Sequence, residues 1–283
     1  MPSVEADFDR LALLDEEGWT PNNHYHSFLL KRVPRNCDNA LEVGCGTGTF
    51  ARQLAARCRQ VIGLDLSSEM IRVARSRSSQ FDNVDFQLAD AMTWTFPQSN
   101  FDFVCSIATL HHLDPRELLM KMKDALKPRG VLVVLDLVQS NGLVERMFDV
   151  IGLGVSSSLR LIHNGRLQPP PEVRRAWEQH GKHDSYLTIG QMRALAEEIF
   201  YRAGNPARSP SPAMSAAAYS RTRSGSRRSS ASMTTATRQS PRLTSAPNAS
   251  AASLSPASRS MSRTLRGQPP RQSVMTLSAS LTS

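Results

Sequence analysis

The chain reads as an α/β protein built on a doubly wound, mostly parallel sheet, and three observations predict it. Strand-length apolar runs alternate with helix-length amphipathic segments from Ala40 to Leu137. The runs are too continuous for strands buried on one face, so helices must cover both faces. The first run ends in a glycine-rich turn, Gly44, Gly46 and Gly48, where sheets of this kind pass from strand to helix and hold ligands.

Each element follows from local signals. Phe8 to Val33 is predicted helical in two pieces, broken near Gly18 to Pro21 and closed by Pro34, with a turn at Asn36 to Asn39. "ALEV" is the first strand, and Thr49 to Cys58 is a helix with Phe50 and Leu54 on one face. The strand "VIGLDL" leads to a helix over Ser67 to Arg77, capped by Ser67, with Met70, Ile71 and Ala74 inward. "VDFQLAD" alternates as a third strand, and "FDFVCSIATL" is a buried fourth. Asp114, Pro115 and Glu117 mark a helix start with a capping box, and that helix runs to Leu126. "GVLVVLDL" is a fifth strand, apolar on both faces. Beyond Val138 helices are expected, interrupted at Pro169 to Pro171, and the last is "TIGQMRALAEEIF", with Thr188 as its cap.

The formal charge of +9 is localised. Asn205 to Ser283 holds 11 arginines, no lysine and no acid, which leaves 23 basic against 25 acidic residues in the rest. A basic nucleic-acid-binding face on the folded part is therefore not indicated. Cys37, Cys45, Cys58 and Cys105 have neither CxxC nor zinc-site spacing. That pattern predicts reduced, partly buried thiols in a cytoplasmic protein, and no metal site. The N-terminus lacks the apolar stretch of a signal peptide, and no apolar run reaches the roughly 18 residues of a membrane span.

Ordering a glycine costs entropy, so three at alternate positions need a reason. Their spacing is GxGxG rather than the dinucleotide fingerprint GxGxxG, and Glu42 stands two residues before them. Asp65 ends the second strand, where a carboxylate can accept hydrogen bonds from both hydroxyls of a ribose. Asp90 and Ala91 end the third, where a side chain and a backbone amide can read an adenine edge. Taken in order, "LEVGCGTG", "VIGLDLS", "LAD-AM", "FDFVCSIATLHHL" and "LKPRGVLVVLDL" resemble the class I S-adenosylmethionine-dependent methyltransferases, in their small-molecule branch. The resemblance covers Asn39 to Leu137, and more loosely Phe8 to Phe200.

That resemblance implies a Rossmann-like methyltransferase fold, with S-adenosylmethionine bound over strands one to four and a small-molecule acceptor. It implies that the loop of Gly44, Gly46 and Gly48 passes under the methionine moiety. Glu42 would hold the loop or meet the ammonium through water, and Asp65 would bind the ribose. Leu66 and Met70 would pack on the adenine, Asp90 and Ala91 would read its amino group, and Ile107 would line the methionine side. Arg129 stands where the family usually has a glycine.

Methyl transfer is an in-line displacement, so the protein mainly aligns and desolvates, and a base is needed only for a weakly acidic acceptor. His111 and His112 follow strand four on the expected substrate side and are the candidate bases. Each could instead cap its loop or face solvent. Asp136 ends strand five, where it either faces substrate or caps a loop. Two other functions stay open: a domain that binds the cofactor without transferring the methyl, and a methyltransferase whose basic tail contacts RNA.

Three parts are expected: a helical cap over residues 1–38, the methyltransferase domain over 39–204, and a Ser/Arg-rich tail over 205–283. The tail has 21 serines in 79 residues and no apolar periodicity, which predicts disorder. Nothing after Phe200 resembles the antiparallel hairpin that closes the family's sheet, so the fifth strand is expected to lack its neighbour. The tail is either a genuine disordered segment or the product of a reading-frame break at Phe200 or Tyr201.

Overall fold

The computed structural model describes residues 4–15, 18–139, 143–181, 184, 186–202 and 273–280. Two N-terminal helices, α1 (Val4–Leu13) and α2 (Asn23–Leu30), precede the sheet. Then strand and helix alternate: β1 (Cys37–Val43), α3 (Thr49–Ala55), β2 (Cys58–Asp65), α4 (Ser68–Arg77), β3 (Val84–Leu88) and β4 (Phe101–Ile107). A 3-10 turn at Leu110–His112 leads to α5 (Pro115–Asp124) and β5 (Leu126–Val138). Helices α6 (Leu143–Asn164), α7 (Pro171–His180) and α8 (Ile189–Glu197) follow, then a π turn (Glu198–Arg202) and the strand β6 (Ser273–Ser280). No helix among the described residues is long and apolar enough to cross a membrane.

The strand order is β3-β2-β1-β4-β5-β6, with β1 to β5 parallel and β6 antiparallel to β5. Neighbouring residues of one strand enter opposite cores. Val134 packs with Leu118, Leu119 and Met122 of α5 and Met192 of α8, whereas Val133 and Leu135 pack with Phe50 and Leu54 of α3 and Ile71 of α4. Two-sided burial explains why the strands read as unbroken apolar runs. The order reverses between β1 and β4, so the crevice that such sheets offer to ligands opens beyond the ends of these two strands.

Several local expectations need correction. Of the turn expected at Asn36 to Asn39, Cys37 to Asn39 belong to β1, whose first residues are drawn in by Asp102: its carboxylate accepts from the Asp38 and Asn39 amides at 2.9 and 3.0 Å. The helix expected to reach Cys58 stops at Ala55, and Cys58 opens β2. Asp114 caps α5 through the Arg116 and Glu117 amides, but Glu117 pairs with Lys121 instead of closing a capping box; Thr188 and Gln191 do form one on α8.

The thiol expectation also changes. Cys37 and Cys58 are bonded as a disulfide, because they are direct partners across β1 and β2 with Cα atoms 4.6 Å apart. Parallel register brings them together across 21 positions, which no spacing rule would suggest. Cys45 and Cys105 are free and buried, as expected.

The edge of β5 is not bare. Ser273–Ser280, "SVMTLSAS", pairs with it along its length, from Val138↔Ser273 to Val131↔Ser280. An edge strand of this length presents a row of backbone donors and acceptors that a β-capable segment will satisfy. The segment that does so lies far beyond the position where a hairpin was sought. The rest of the tail, 205–272 and 281–283, lies outside the described residues, and the disorder expected there lies outside them too.

Arg129, at the position where the resemblance implies a glycine, adopts a φ of +66°, in the left-handed region that favours glycine, and it is exposed. A non-glycine residue there costs roughly 1–2 kcal/mol, partly offset by the greater unfolded-state entropy of glycine. Arg129→Gly is therefore expected to stabilise the fold by about 1 kcal/mol, seen as a rise of a few degrees in thermal midpoint. An unchanged or lower midpoint would show that the turn is not strained.

Candidate functional site

Beyond Val43 the chain turns back through the glycines. Gly44 has φ +74°, and an added Cβ would lie 2.0 Å from Thr109 Oγ1, so this position is closed by the loop after β4. Gly46 has φ +51°, and the nearest protein atom to an added Cβ is Met70 Sδ at 4.0 Å. The volume over Gly46 is therefore a cradle that a side chain would fill. Gly48 packs beneath it, with Phe86 2.7 Å from an added Cβ.

Asp65 organises this loop. One carboxylate oxygen accepts from the Gly46 amide at 2.8 Å, and the other accepts from the Ser67 amide at 3.0 Å. Each oxygen keeps further acceptor capacity. Ser67 caps α4, accepting from the Met70 amide at 3.0 Å, and its hydroxyl donates to Asp9 of α1 at 2.6 Å. Asp9 also accepts from the Glu69 amide, so the acidic side chain of α1 sits at the positive end of α4. Leu11 and Ala12 of α1 pack with Met70 and with Ala176 of α7. Helix α1 thus roofs the carboxyl ends of the strands.

Glu42 lies below the cradle. It is buried, and its Oε2 has no hydrogen-bond partner. Burial pushes its pKa well above the usual carboxylate range, and the Asp65 charge adds to this; the Ala51 amide and Arg52 oppose it. Asp65 is also raised, first by burial, against the pull of the Ser67 and Gly46 amides. An orphaned buried carboxyl oxygen, a second carboxylate and an open cradle fit a cofactor that carries an ammonium and a sulfonium. Around the crevice stand Leu66, exposed, Met70, buried, and Ala91, buried beside Asp90, whose carboxylate accepts from the Met92 amide at 2.8 Å. Ile107 ends β4 on the far side.

After Ile107, Ala108 at φ +52° swings the chain into the 3-10 turn that carries both histidines. His111 Nδ1 lies 2.5 Å from Asp136 Oδ1, at the end of β5. The Asp136 carboxylate faces the histidine, and it also accepts from the Leu137 amide. His112 Nδ1 lies 3.2 Å from Asp184 Oδ1, and its Nε2 lies 3.3 Å from His180 Nε2. Phe8 of α1 packs on both His112 and His180, at 5.3 and 4.6 Å between ring centres. Burial, then the neighbouring His111 charge, pushes His112 down to about 3, and burial also lowers His180. Neither candidate histidine is solvent-facing: their side chains are 5% and 6% exposed.

His180, Asp184, Tyr186 and Asp7 were not among the sequence candidates. They reach the histidine pair from α7, the segment after it and α1, and no local spacing connects them. A hollow of about 720 Å³ lined by Arg35, Arg57 and Arg59 lies at the amino ends of β1 and β2. That is the opposite end of the strands from the glycine loop, and sheets of this kind hold ligands at the carboxyl ends.

A buried acid with a raised pKa adds stability below the ordinary carboxylate range, and that contribution is lost as pH rises through the folded value. Glu42→Gln should therefore raise the thermal midpoint of the cofactor-free protein. The gain should grow as pH climbs from the ordinary carboxylate range to the raised value and stay level above it. The same variant should bind a cationic cofactor more weakly. A midpoint difference that is the same at all pH values would mean that Glu42 is not held protonated.

Residues 41–134 match the family pattern of a methyltransferase domain. An uncharacterized methyltransferase of Mycobacterium tuberculosis is 31% identical over 174 residues, spanning 58% of this chain and 86% of its own length. The O-methyltransferase cnsE of Penicillium expansum is 39% identical over 113 residues, 38% of this chain and 41% of that one. Among solved structures, the methyltransferase in a Haloferax volcanii complex with a methyltransferase activator aligns with a TM-score of 0.51 at 20% identity, covering 70% of this chain and 76% of that one, a likeness of fold. With the glycine cradle, the Asp65 clamp and a relative matched over most of its length, the chain belongs to the class I S-adenosylmethionine-dependent methyltransferases.

Proposed function

We propose that the protein transfers a methyl group to a small-molecule acceptor, with His111 as the base that takes the acceptor's proton. The observation that carries this reading is the 2.5 Å contact between His111 Nδ1 and Asp136, beside the cofactor crevice. S-adenosylmethionine supplies an activated methyl on a sulfonium, displaced in line. The chain's own residues do the rest. Asp65 takes the ribose hydroxyls on the lone pairs left free by Gly46 and Ser67, and Glu42 faces the cofactor's positive end. Leu66, Met70, Asp90 and Ala91 hold the adenine, and Ile107 lines the path to the acceptor. Helix α1 excludes water, which strengthens each polar contact beneath it.

Asp136 accepts the Nδ1 proton of His111, fixing the tautomer that leaves the Nε2 lone pair for the acceptor. A carboxylate behind an imidazole also stabilises the imidazolium that forms. His112 is a poor base, because burial and then the neighbouring His111 lower its pKa to about 3. The O-methyl transfer in the name of the Penicillium relative agrees with a protonated oxygen acceptor, which needs such a base. The reading includes a cytoplasmic location.

His111→Ala should lower turnover about 10²-fold or more with little change in S-adenosylmethionine affinity. Asp136→Asn should lower it less and shift the acidic limb of the pH–rate profile. Parent-like turnover in His111→Ala, with an acceptor found by a mass-shift screen, would leave alignment alone as the mechanism.

A further inference from the structure

The histidine cluster contains a mismatch in its protons. Asp7, His180, His112 and Asp184 form a row with three gaps: Asp7 Oδ2 to His180 Nδ1 at 3.7 Å, His180 Nε2 to His112 Nε2 at 3.3 Å, and His112 Nδ1 to Asp184 Oδ1 at 3.2 Å. Two neutral imidazoles carry two protons between them. One gap must therefore set a bare nitrogen against an oxygen or another nitrogen. A third proton would close it. A cation in one gap closes it as well.

The geometry points to a divalent transition-metal site, of the kind zinc occupies, held by His111, His112 and Asp184. These three residues each offer one ligand atom, all within 4.8 Å of one another. Two imidazoles and one carboxylate, with open positions left over, form a donor set that suits catalytic zinc and its neighbours in the first transition row. The separation of His112 Nδ1 from Asp184 Oδ1 is 3.2 Å. That is close to the edge of a tetrahedron with bonds of about 2.0–2.1 Å, which is about 3.3 Å.

The outer contacts support the same assignment. Metal-ligating side chains use their other polar atom to bond a second residue, which fixes their orientation. Here each of the three does so. His111 turns Nδ1 to Asp136 at 2.5 Å, which leaves Nε2 for the ion. His112 turns Nε2 to His180 at 3.3 Å, which leaves Nδ1. Asp184 takes the Tyr186 hydroxyl at 2.6 Å on Oδ2, which leaves Oδ1. With the ion between His112 and Asp184, His112 donates its Nε2 proton to His180, and His180 turns its Nδ1 proton to Asp7. Every gap in the row is then filled once.

The inference rests on the reading of the histidine pair as the acceptor side of the site, and it gives that side an occupant. An acceptor hydroxyl that binds the ion gives its proton to solvent. The oxygen then forms the new O–CH3 bond as the S–CH3 bond breaks, leaving the methyl ether and S-adenosylhomocysteine. The acceptor class is thus a hydroxylated small molecule, and where the ion is bound His111 serves as its ligand instead of a bare base.

The test is zinc binding by the full chain after chelation and dialysis, with cobalt as a spectroscopic stand-in. The expected result is one equivalent per chain, with cobalt showing the intense visible bands of a tetrahedral nitrogen and oxygen site. Asp184→Asn and His112→Ala should each lose at least 10-fold in zinc affinity while binding S-adenosylhomocysteine like the parent, which shows that the fold survives. No stoichiometric zinc, or zinc bound equally well by both variants, would overturn the metal site. Zinc bound as expected with no turnover change in His111→Ala would instead count against the proposed catalytic role alone.

Discussion

The arrangement depends on one carboxylate. Asp65 holds the Gly46 amide with one oxygen and the Ser67 amide with the other, so a single side chain sets both the glycine loop after β1 and the start of α4. Ser67 then passes the constraint to α1 through Asp9. Loop, helix and roof are linked by a chain of hydrogen bonds that begins at one strand end. Charge-assisted bonds to backbone amides are stronger than neutral ones, which suits them to fixing a loop that must keep φ positive at Gly46.

The two sides of the crevice differ in electrostatic character. On the β1–β2 side, Glu42, Asp65 and Asp9 crowd acids together, and burial and mutual repulsion raise the first two. Such a place favours a cation. On the β4–β5 side, imidazoles stand among carboxylates, and burial lowers the proton affinity of His112 and His180, leaving nitrogen lone pairs available. Helix α1 touches both: Asp9 reaches the first side, and Asp7 and Phe8 reach the second. One helix therefore covers both sides together, as the proposed reaction would require.

Much of this was legible in the sequence because it is local. The glycine loop, Asp65, the Ser67 cap and the Asp90–Ala91 pair each follow a strand directly, so periodicity and turn chemistry locate them. What was not legible depends on register or on long-range packing. Cys37 and Cys58 become neighbours only when β1 and β2 pair in one particular alignment. The partner of β5 comes from Ser273–Ser280, beyond a long stretch with no periodic signal. Asp184 and His180 approach His112 across about 70 positions, so no ligand-spacing rule could find them. Arg129 shows the converse: the departure from a glycine was visible in the sequence, but its left-handed φ was not.

The central claim is that the cofactor lies at the carboxyl ends of β1 and β2, under α1, in the cradle that Asp65 fixes. Hydrogen–deuterium exchange with and without S-adenosylhomocysteine tests it most directly. The account predicts that the ligand slows exchange in the glycine loop from Gly44 to Gly48, at the start of α4 from Ser67 to Met70, at Ala91 and along α1. Protection confined to Arg35, Arg57, Arg59 and their neighbours at the opposite end of the strands, or none in the glycine loop at saturating ligand, would contradict it.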